Sequence, residues 1–232
     1  MSEPWFHIAI DGPVAAGKGT VSRLVADRLG CVYIDTGAMY RMTALLAHRR
    51  DIDLAEEEKL AEAVKVAKMD VRTPNPEERD GRLSTVLLDG EDVSWAIRTE
   101  EISRGASMVA QLPLVRSALV EKQQQIAQDK DVVMEGRDIT YRVLPDAALK
   151  IFLTATDTVR AQRRHLQLLT KGTDSNLGDV LNELMERDQR DMSRQTDPLK
   201  KVLEAWEIDT SDLSIEEVVD LIVARATSMR QQ

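Results

Sequence analysis

Thiols are almost missing from this chain, in which Cys31 is the single cysteine. No intrachain disulfide can form and no zinc site can be built from thiolates, so a reducing, cytoplasmic setting is expected. Histidine is nearly as scarce: His7, His48 and His165 share no motif or spacing, and neither metal ligation nor a histidine base is indicated. No stretch approaches the run of about eighteen apolar residues that a membrane span needs. The N-terminal Met-Ser-Glu-Pro-Trp5 has neither a basic region nor a long apolar segment, so a soluble, non-exported protein is expected. Positive charge is in deficit, with 31 Lys and Arg against 40 Asp and Glu and a net charge of -9. That balance argues against non-specific binding to nucleic acid or an anionic membrane, although a local arginine cluster can still hold a small anion. There is no internal repeat and no low-complexity tract.

What is present begins at Ile8-Ala-Ile-Asp11-Gly12-Pro13-Val14-Ala15-Ala16-Gly17-Lys18-Gly19-Thr20, an apolar strand entering a glycine-rich turn and then a helix-forming run. Glycines let the backbone wrap an anion with its N–H groups, the lysine reaches the β- and γ-phosphates, and the helix adds its positive N-terminus. A hydroxyl in such a loop faces Mg²⁺, the role expected of Thr20, mainly through phosphates and water. The pattern departs from Gly-x-x-x-x-Gly-Lys-Ser/Thr in that Gly19 stands at the hydroxyl position and Thr20 follows one place later. Strand, loop and helix context favours a phosphate site over a plain turn.

The helix is expected over Gly19–Leu29, stopping at Gly30, with a short buried strand over Cys31–Ile34. Strand, helix and strand in so short a stretch form the parallel unit of an α/β sheet. Asp35-Thr36-Gly37-Ala38-Met39-Tyr40-Arg41 follows at the carboxyl end of that strand, where open α/β sheets place ligands. Residues 42–67 read as two helices, with Asp53 as a candidate cap of the second. From Met69 to Leu88 the rhythm breaks at Thr73-Pro-Asn-Pro76, and β-rich sequence before Asp89-Gly90 predicts a small antiparallel sheet. Thr99-Glu-Glu predicts a helix through Ala110, and Pro113 begins another through about Ile126. Val132–Met134 and Leu149–Leu153 read as strands, Asp157–Thr170 as a helix, and Lys171–Gly178 as a mobile connection. A helix from about Asp179 carries Glu186-Arg187-Asp188-Gln-Arg190-Asp191-Met-Ser-Arg194. Ile208 marks a last strand, and Ser214-Ile-Glu-Glu217 is a capping box.

The loop with Gly-Lys-Gly-Thr, a variant usual in kinases of nucleoside monophosphates, and Asp-Thr-Gly-Ala-Met-Tyr-Arg together resemble bacterial cytidylate kinases. Gly90-Glu-Asp-Val-Ser94, Ile97-Arg98-Thr99 and the Glu-Arg-Asp-x-Arg-Asp-x-x-Arg run match the same family. The resemblance implies one P-loop NTPase domain over residues 1–232, with a central parallel five-stranded sheet flanked by helices. Its core would comprise about 1–61, 109–157 and 179–232, with a monophosphate-binding insertion at about 62–108 and a helical lid at about 158–178. The implied reaction moves the γ-phosphoryl group of ATP, with Mg²⁺, to CMP or dCMP in a monomeric cytoplasmic enzyme that binds no nucleic acid and no membrane.

Such a transfer needs cations and alignment more than acid–base chemistry, because the acceptor phosphate is already ionised. On a helix Arg187, Arg190, Asp191 and Arg194 fall within an arc of roughly 100° and can converge on one anion. The same run also reads as a solvated face of ion pairs. By the resemblance, residues 12–20 hold ATP, and Arg163, with Arg160 beside it, belongs to the lid that closes over it. Asp35 and Thr36 border the acceptor, and Arg41 and Arg137 hold its phosphate. Arg187 and Asp191 meet the sugar side, and Arg194 meets the transferring phosphates, with Lys18, Arg137, Arg187 and Arg194 as the catalytic set. Asp138, Arg116 and Ser107 read the cytosine, a base that presents an amino donor and two acceptors.

Ile139-Thr140-Tyr141-Arg142 departs from the family's more usual Ile-Gly-Thr-Val, for which the sequence offers no physical account. Kinases of UMP, a sugar or a shikimate-like acid remain alternatives, which the trio of Asp138, Arg116 and Ser107 would distinguish. A GTPase-type switch would need a guanine-reading Asn/Thr-Lys-x-Asp motif, and none is present. Asp27-Arg-Leu-Gly30 matches a switch tetrapeptide but lies at a helix end.

Overall fold

The computed structural model describes residues 5–78, 80–170 and 172–231; Met1–Pro4, where the absence of a leader was read, and Lys171, which opens the expected lid connection, lie outside them. Five strands, β1 (His7–Asp11), β2 (Val32–Asp35), β6 (Val132–Gly136), β7 (Leu149–Thr154) and β8 (Trp206–Asp209), form a parallel sheet in the order β2-β6-β1-β7-β8. β1, β2 and β6 read as near-continuous apolar runs because helices cover both faces of the sheet.

On one face Val21, Val25, Tyr33, Val133, Val219 and Ile222 pack together, bringing α1 (Lys18–Leu29) and α8 (Ile215–Arg230) onto the strands. On the other, Ile34, Val120, Met134 and Ile139 join the sheet to α5 (Pro113–Ala127) and to a wide helical turn at Ile139–Val143. Among the described residues no helix is long and apolar enough to cross a membrane.

The predicted antiparallel sheet consists of β3 (Met69–Arg72), β4 (Thr85–Leu88) and β5 (Glu91–Asp92). Its hairpin turns at Asp89 and Gly90, both at positive φ, as a tight two-residue loop requires. These strands share an apolar interior with α2 (Thr36–Arg49), α3 (Glu57–Val66), α4 (Glu100–Val109) and α5 that runs from Ala38 to Leu119. The stretch at 62–108 therefore does not stand apart from the rest. α6 (Asp157–Thr170) and α7 (Leu177–Ser193) pack on each other through Ala161, Val180 and Leu184.

Several boundaries follow local chemistry. Gly30, at φ +67°, ends α1, and the Ser214–Glu217 capping box opens α8 as expected. Asp53 does not cap α3: the N-cap is Glu56, and the Asp53 carboxylate accepts instead from the Ala55 amide at 2.9 Å in the preceding turn. α7 starts earlier than expected because Asn176 caps it, accepting from Gly178 and Asp179.

The register sets β1 residue Asp11 against Gly136, and β2 residue Asp35 against Glu135, so these strands end level at one edge of the sheet. There the chain leaves β1 through Gly12 at φ +155°, where a Cβ would stand 2.0 Å from the Leu153 carbonyl oxygen. No side chain fits between the loop and β7. A Gly12→Ala variant is expected to lose about 3 kcal/mol or more of stability. Thermal unfolding should show its midpoint about 10 °C lower, on the scale usual for a chain of this size.

Candidate active site

Beyond Gly12 the backbone curls with Ala15 at φ +59° and Gly17 at φ +90°, so successive amides face inward before α1 begins. Asp188 on α7 accepts from the Val14 amide at 3.2 Å and pins the loop from outside. The Lys18 amine folds back to donate to the Pro13 carbonyl at 2.8 Å and is buried. Burial, then the positive charge of Arg137, push its pKa down to about 7 against the pull of Glu135 and Asp11.

Gly19 has a steric reason for standing where a hydroxyl residue is usual. A Cβ there would come within 3.0 Å of Glu135 Oε1 and 3.4 Å of the Tyr33 hydroxyl, which donates to that same carboxylate oxygen at 2.7 Å. Glycine lets the buried Glu135 approach the loop, and Thr20 supplies the hydroxyl one residue on.

The loop borders a cavity of about 610 Å³. Every residue given a role by resemblance except Gly12, Pro13 and Arg160 lines it: Val14 to Thr20, Asp35, Thr36, Arg41, Ser107, Arg116, Arg137, Asp138, Arg163, Arg187, Asp191 and Arg194. Nine of the lining residues are Lys or Arg and four are Asp or Glu, an inversion of the charge balance of the whole chain.

Three carboxylates each hold one arginine. Asp35 caps α2 through the Ala38 amide at 3.0 Å and pairs with Arg41 at 2.6 Å. Burial alone would raise its carboxyl, but Arg41 and Arg98 bring it below the usual range. Asp191 accepts from Arg137 Nε at 2.8 Å. Asp138 pairs with Arg116, and Arg194 Nη2 stands 3.9 Å from the other Asp138 oxygen. Burial keeps Asp138 above the ordinary carboxylate value despite Arg116 and Arg194.

The remaining cations are under-neutralised. Among the described residues no carboxylate pairs with Arg187, whose pKa is pushed down to about 10 by burial and then by Arg137. Arg98 donates through Nε to the Ser94 carbonyl at 3.2 Å, and its buried Nη2 has no partner. Unpaired buried cations are costly, and an anion with several charged oxygens relieves them together.

Two expectations change. Arg190 points away from Arg187 and Asp191 into a second cavity beside His48 and Arg104. Arg160, expected beside Arg163, reaches the loop instead of the cavity: it is buried, donating to the Val14 carbonyl at 2.9 Å and pairing with Asp188 at 2.5 Å, where it braces the loop. Arg163 does line the cavity, tethered by bonds of 2.9 and 2.6 Å to the hydroxyl and carbonyl of Thr210.

The cytidylate kinase family model matches residues 8–228. The chain belongs to the cytidylate kinase family. A cytidylate kinase of Bacillus cereus (strain ATCC 10987 / NRS 248) is 48% identical over 217 residues, covering 94% of each chain. One of Bacillus thuringiensis (strain Al Hakam) is 48% identical over 216 residues, covering 93% of each. Among solved structures, an uncharacterized protein from Eubacterium ventriosum ATCC 27560 aligns with a TM-score of 0.50 over 96% of this chain and 98% of its own. At 14% identity that likeness shows the fold alone.

The departure from the cytidylate kinase pattern at 139–142 acquires a physical account. Thr140 gives its amide and hydroxyl to Asp11 at 2.8 and 2.7 Å, and the Ile139 amide completes the set at 2.9 Å. Burial nevertheless lifts Asp11 to about 6. The Tyr141 hydroxyl donates to the Pro198 carbonyl at 2.6 Å, and Lys200 lies 4.2 Å from its ring centre. The substituted side chains thus bind the turn to the end of β1 and to the loop after α7.

Sequence reading assigned no role to Arg98, Glu135, Tyr40, Asp11 or Asp188. Arg98, Tyr40, Asp11 and Asp188 stood inside motifs quoted above, and Glu135 stood in none. Tyr40, whose buried hydroxyl has no partner in the cavity wall, and the loop brace at Asp188 needed the tertiary structure.

The depressed Lys18 pKa has a direct consequence. Above pH 7 the free amine is largely neutral, and a bound triphosphate raises its pKa and recharges it. At pH 8 an unreactive ATP analogue should therefore bind with uptake of up to about one proton. Calorimetric titration in buffers of different ionisation enthalpy measures this uptake, and Lys18→Met should abolish it.

Proposed function

We propose that this protein is an enzyme that transfers the γ-phosphoryl group of ATP to CMP or dCMP, giving ADP and CDP or dCDP. The observation that carries the reading is the cluster of partly unneutralised cations around an amide-lined loop, in a member of the cytidylate kinase family.

On this reading the amides of residues 12–20 and the Lys18 amine take the triphosphate of ATP, and Arg163 lies over it. Thr20 and Glu135 offer hard oxygen donors at the same place, which suits Mg²⁺ held mainly by phosphates and water. The ion would neutralise charge on the β- and γ-phosphates. Arg41 and Arg137 exchange their carboxylate partners for the acceptor phosphate, to which arginine's fork is suited. Arg187 and Asp191 meet the sugar side, and Arg194 stabilises the transferring group. No residue has to remove a proton, since the attacking phosphate oxygen is ionised.

Base selection falls to Asp138, Arg116 and Ser107. A carboxylate accepts from the cytosine amino group, and arginine and serine donate to its acceptors. Uracil reverses that polarity in part and leaves the carboxylate facing an oxygen. We further propose that residues 62–108 form the acceptor-binding insertion, that 158–178 act as the lid, and that the enzyme works as a cytoplasmic monomer. The single buried thiol of Cys31 suits a reducing compartment.

A screen of nucleoside monophosphates, read by ADP release, tests the assignment. CMP and dCMP should be the preferred acceptors, and preference for UMP or a non-nucleotide would overturn it. Lys18→Ala should reduce kcat by about 100- to 1000-fold, the scale of losing one charge-stabilising donor. Asp138→Asn should shift the CMP to UMP ratio of kcat/KM toward UMP by about tenfold or more, with little change in the KM for ATP. Circular dichroism should show both variants folded.

A further inference from the structure

We propose that Asp197 is a positioning residue for pyrimidine selection, holding Arg116 from behind and so setting how that guanidinium and Asp138 face the acceptor base. The inference rests on the kinase reading above and assigns a role that its motifs do not contain.

Asp197 does not line the cavity, so it acts through other groups. One carboxylate oxygen lies 3.4 Å from Arg116 Nε and the other 3.5 Å from Arg142 Nε, while its carbonyl accepts from Arg194 Nε at 2.6 Å. The two residues that follow it are held in place. Leu199 donates to the Asp191 carbonyl at 2.8 Å, and Tyr141 donates to the Pro198 carbonyl at 2.6 Å.

Arg116 is 1% exposed, and its guanidinium is held on three sides: by Asp197, by the Ala110 carbonyl at 3.1 Å and by Asp138. Two carboxylates therefore compete for one cation. Arg116 already meets one Asp138 oxygen through Nη2, and without Asp197 its Nε would be free to turn to the other, so that the pair would have to break before either group could meet a base. The rear carboxylate shares the charge and anchors Nε, so Asp138 keeps an oxygen for an amino donor and Arg116 keeps its outer N–H groups for acceptors. Arg142, half-exposed on the far side, steadies the rear carboxylate in turn.

The backbone allows a clean test. Asp197 sits at φ +48°, a conformation that asparagine and glycine adopt readily. Asp197→Asn and Asp197→Gly thus preserve the turn, and with it the carbonyl that holds Arg194, while removing the charge. Steady-state kinetics with CMP, UMP and ATP, together with thermal unfolding, should show the KM for CMP rising about tenfold in both variants. The CMP to UMP ratio of kcat/KM should fall about fivefold while the KM for ATP moves less than about twofold. Arg142→Gln should act in the same direction but less.

An unchanged CMP KM and an unchanged acceptor ratio would overturn the inference, provided the unaltered protein selects CMP. Equal losses for CMP and ATP with a lowered unfolding midpoint would also overturn it, by making Asp197 a structural turn residue. Absence of CMP turnover in the unaltered protein would overturn both this inference and the kinase assignment.

Discussion

Mutual repulsion among cations gathered in one cleft is the constraint on which this structure turns. A chain of net charge -9 draws nine lysine and arginine side chains to the wall of a single cavity and supplies only four carboxylates there. Burial first, and repulsion from Arg137 second, lower the affinity of Lys18 for its proton, and that of Arg187 to a lesser degree. A site in that state gains most from a ligand with many charged oxygens brought close together, which is what two nucleotide phosphates at the moment of transfer provide.

The parallel sheet makes the gathering possible. β1, β2 and β6 end level, so a phosphate loop, the Asp35–Arg41 helix start and the Glu135–Asp138 segment emerge side by side from distant parts of the chain. α7 then crosses this edge with Arg187 and Asp191 turned inward and Asp188 turned toward the loop. Arg160, buried beneath, ties that loop to Asp188 and leaves it little freedom. Side chains from two helices thus brace the loop in its wrapped form.

Carboxylates in the cleft hold arginines ready. Asp35, Asp191 and Asp138 each engage one guanidinium, limiting the rotamer entropy that a phosphate or base would otherwise have to remove on binding. A buried pair of this kind contributes little net stability, since desolvation offsets attraction, but it fixes direction. The departure at Thr140, Tyr141 and Arg142 extends the same principle outward, joining the turn after β6 to Asp11 and to the loop carrying Asp197.

Local patterns alone determined a good deal. The phosphate loop, the apolar strands β1, β2 and β6, the antiparallel excursion, the capping box at Ser214 and the stop at Gly30 all follow from short-range rules of backbone geometry and burial. Asp53 misled because the same oxygen can cap a helix or a turn two residues on, and only the path of the following chain chooses between them. Helical spacing correctly grouped Arg187, Asp191 and Arg194 but could not tell that Arg190 would face another cavity, since a face 100° wide meets more than one neighbour. The burial of Arg160, the steric need for Gly19 beside Glu135 and the sharing of Arg116 between Asp138 and Asp197 were decided by tertiary structure. Each depends on which groups from remote segments compete for the same few ångströms, and no local pattern encodes that competition.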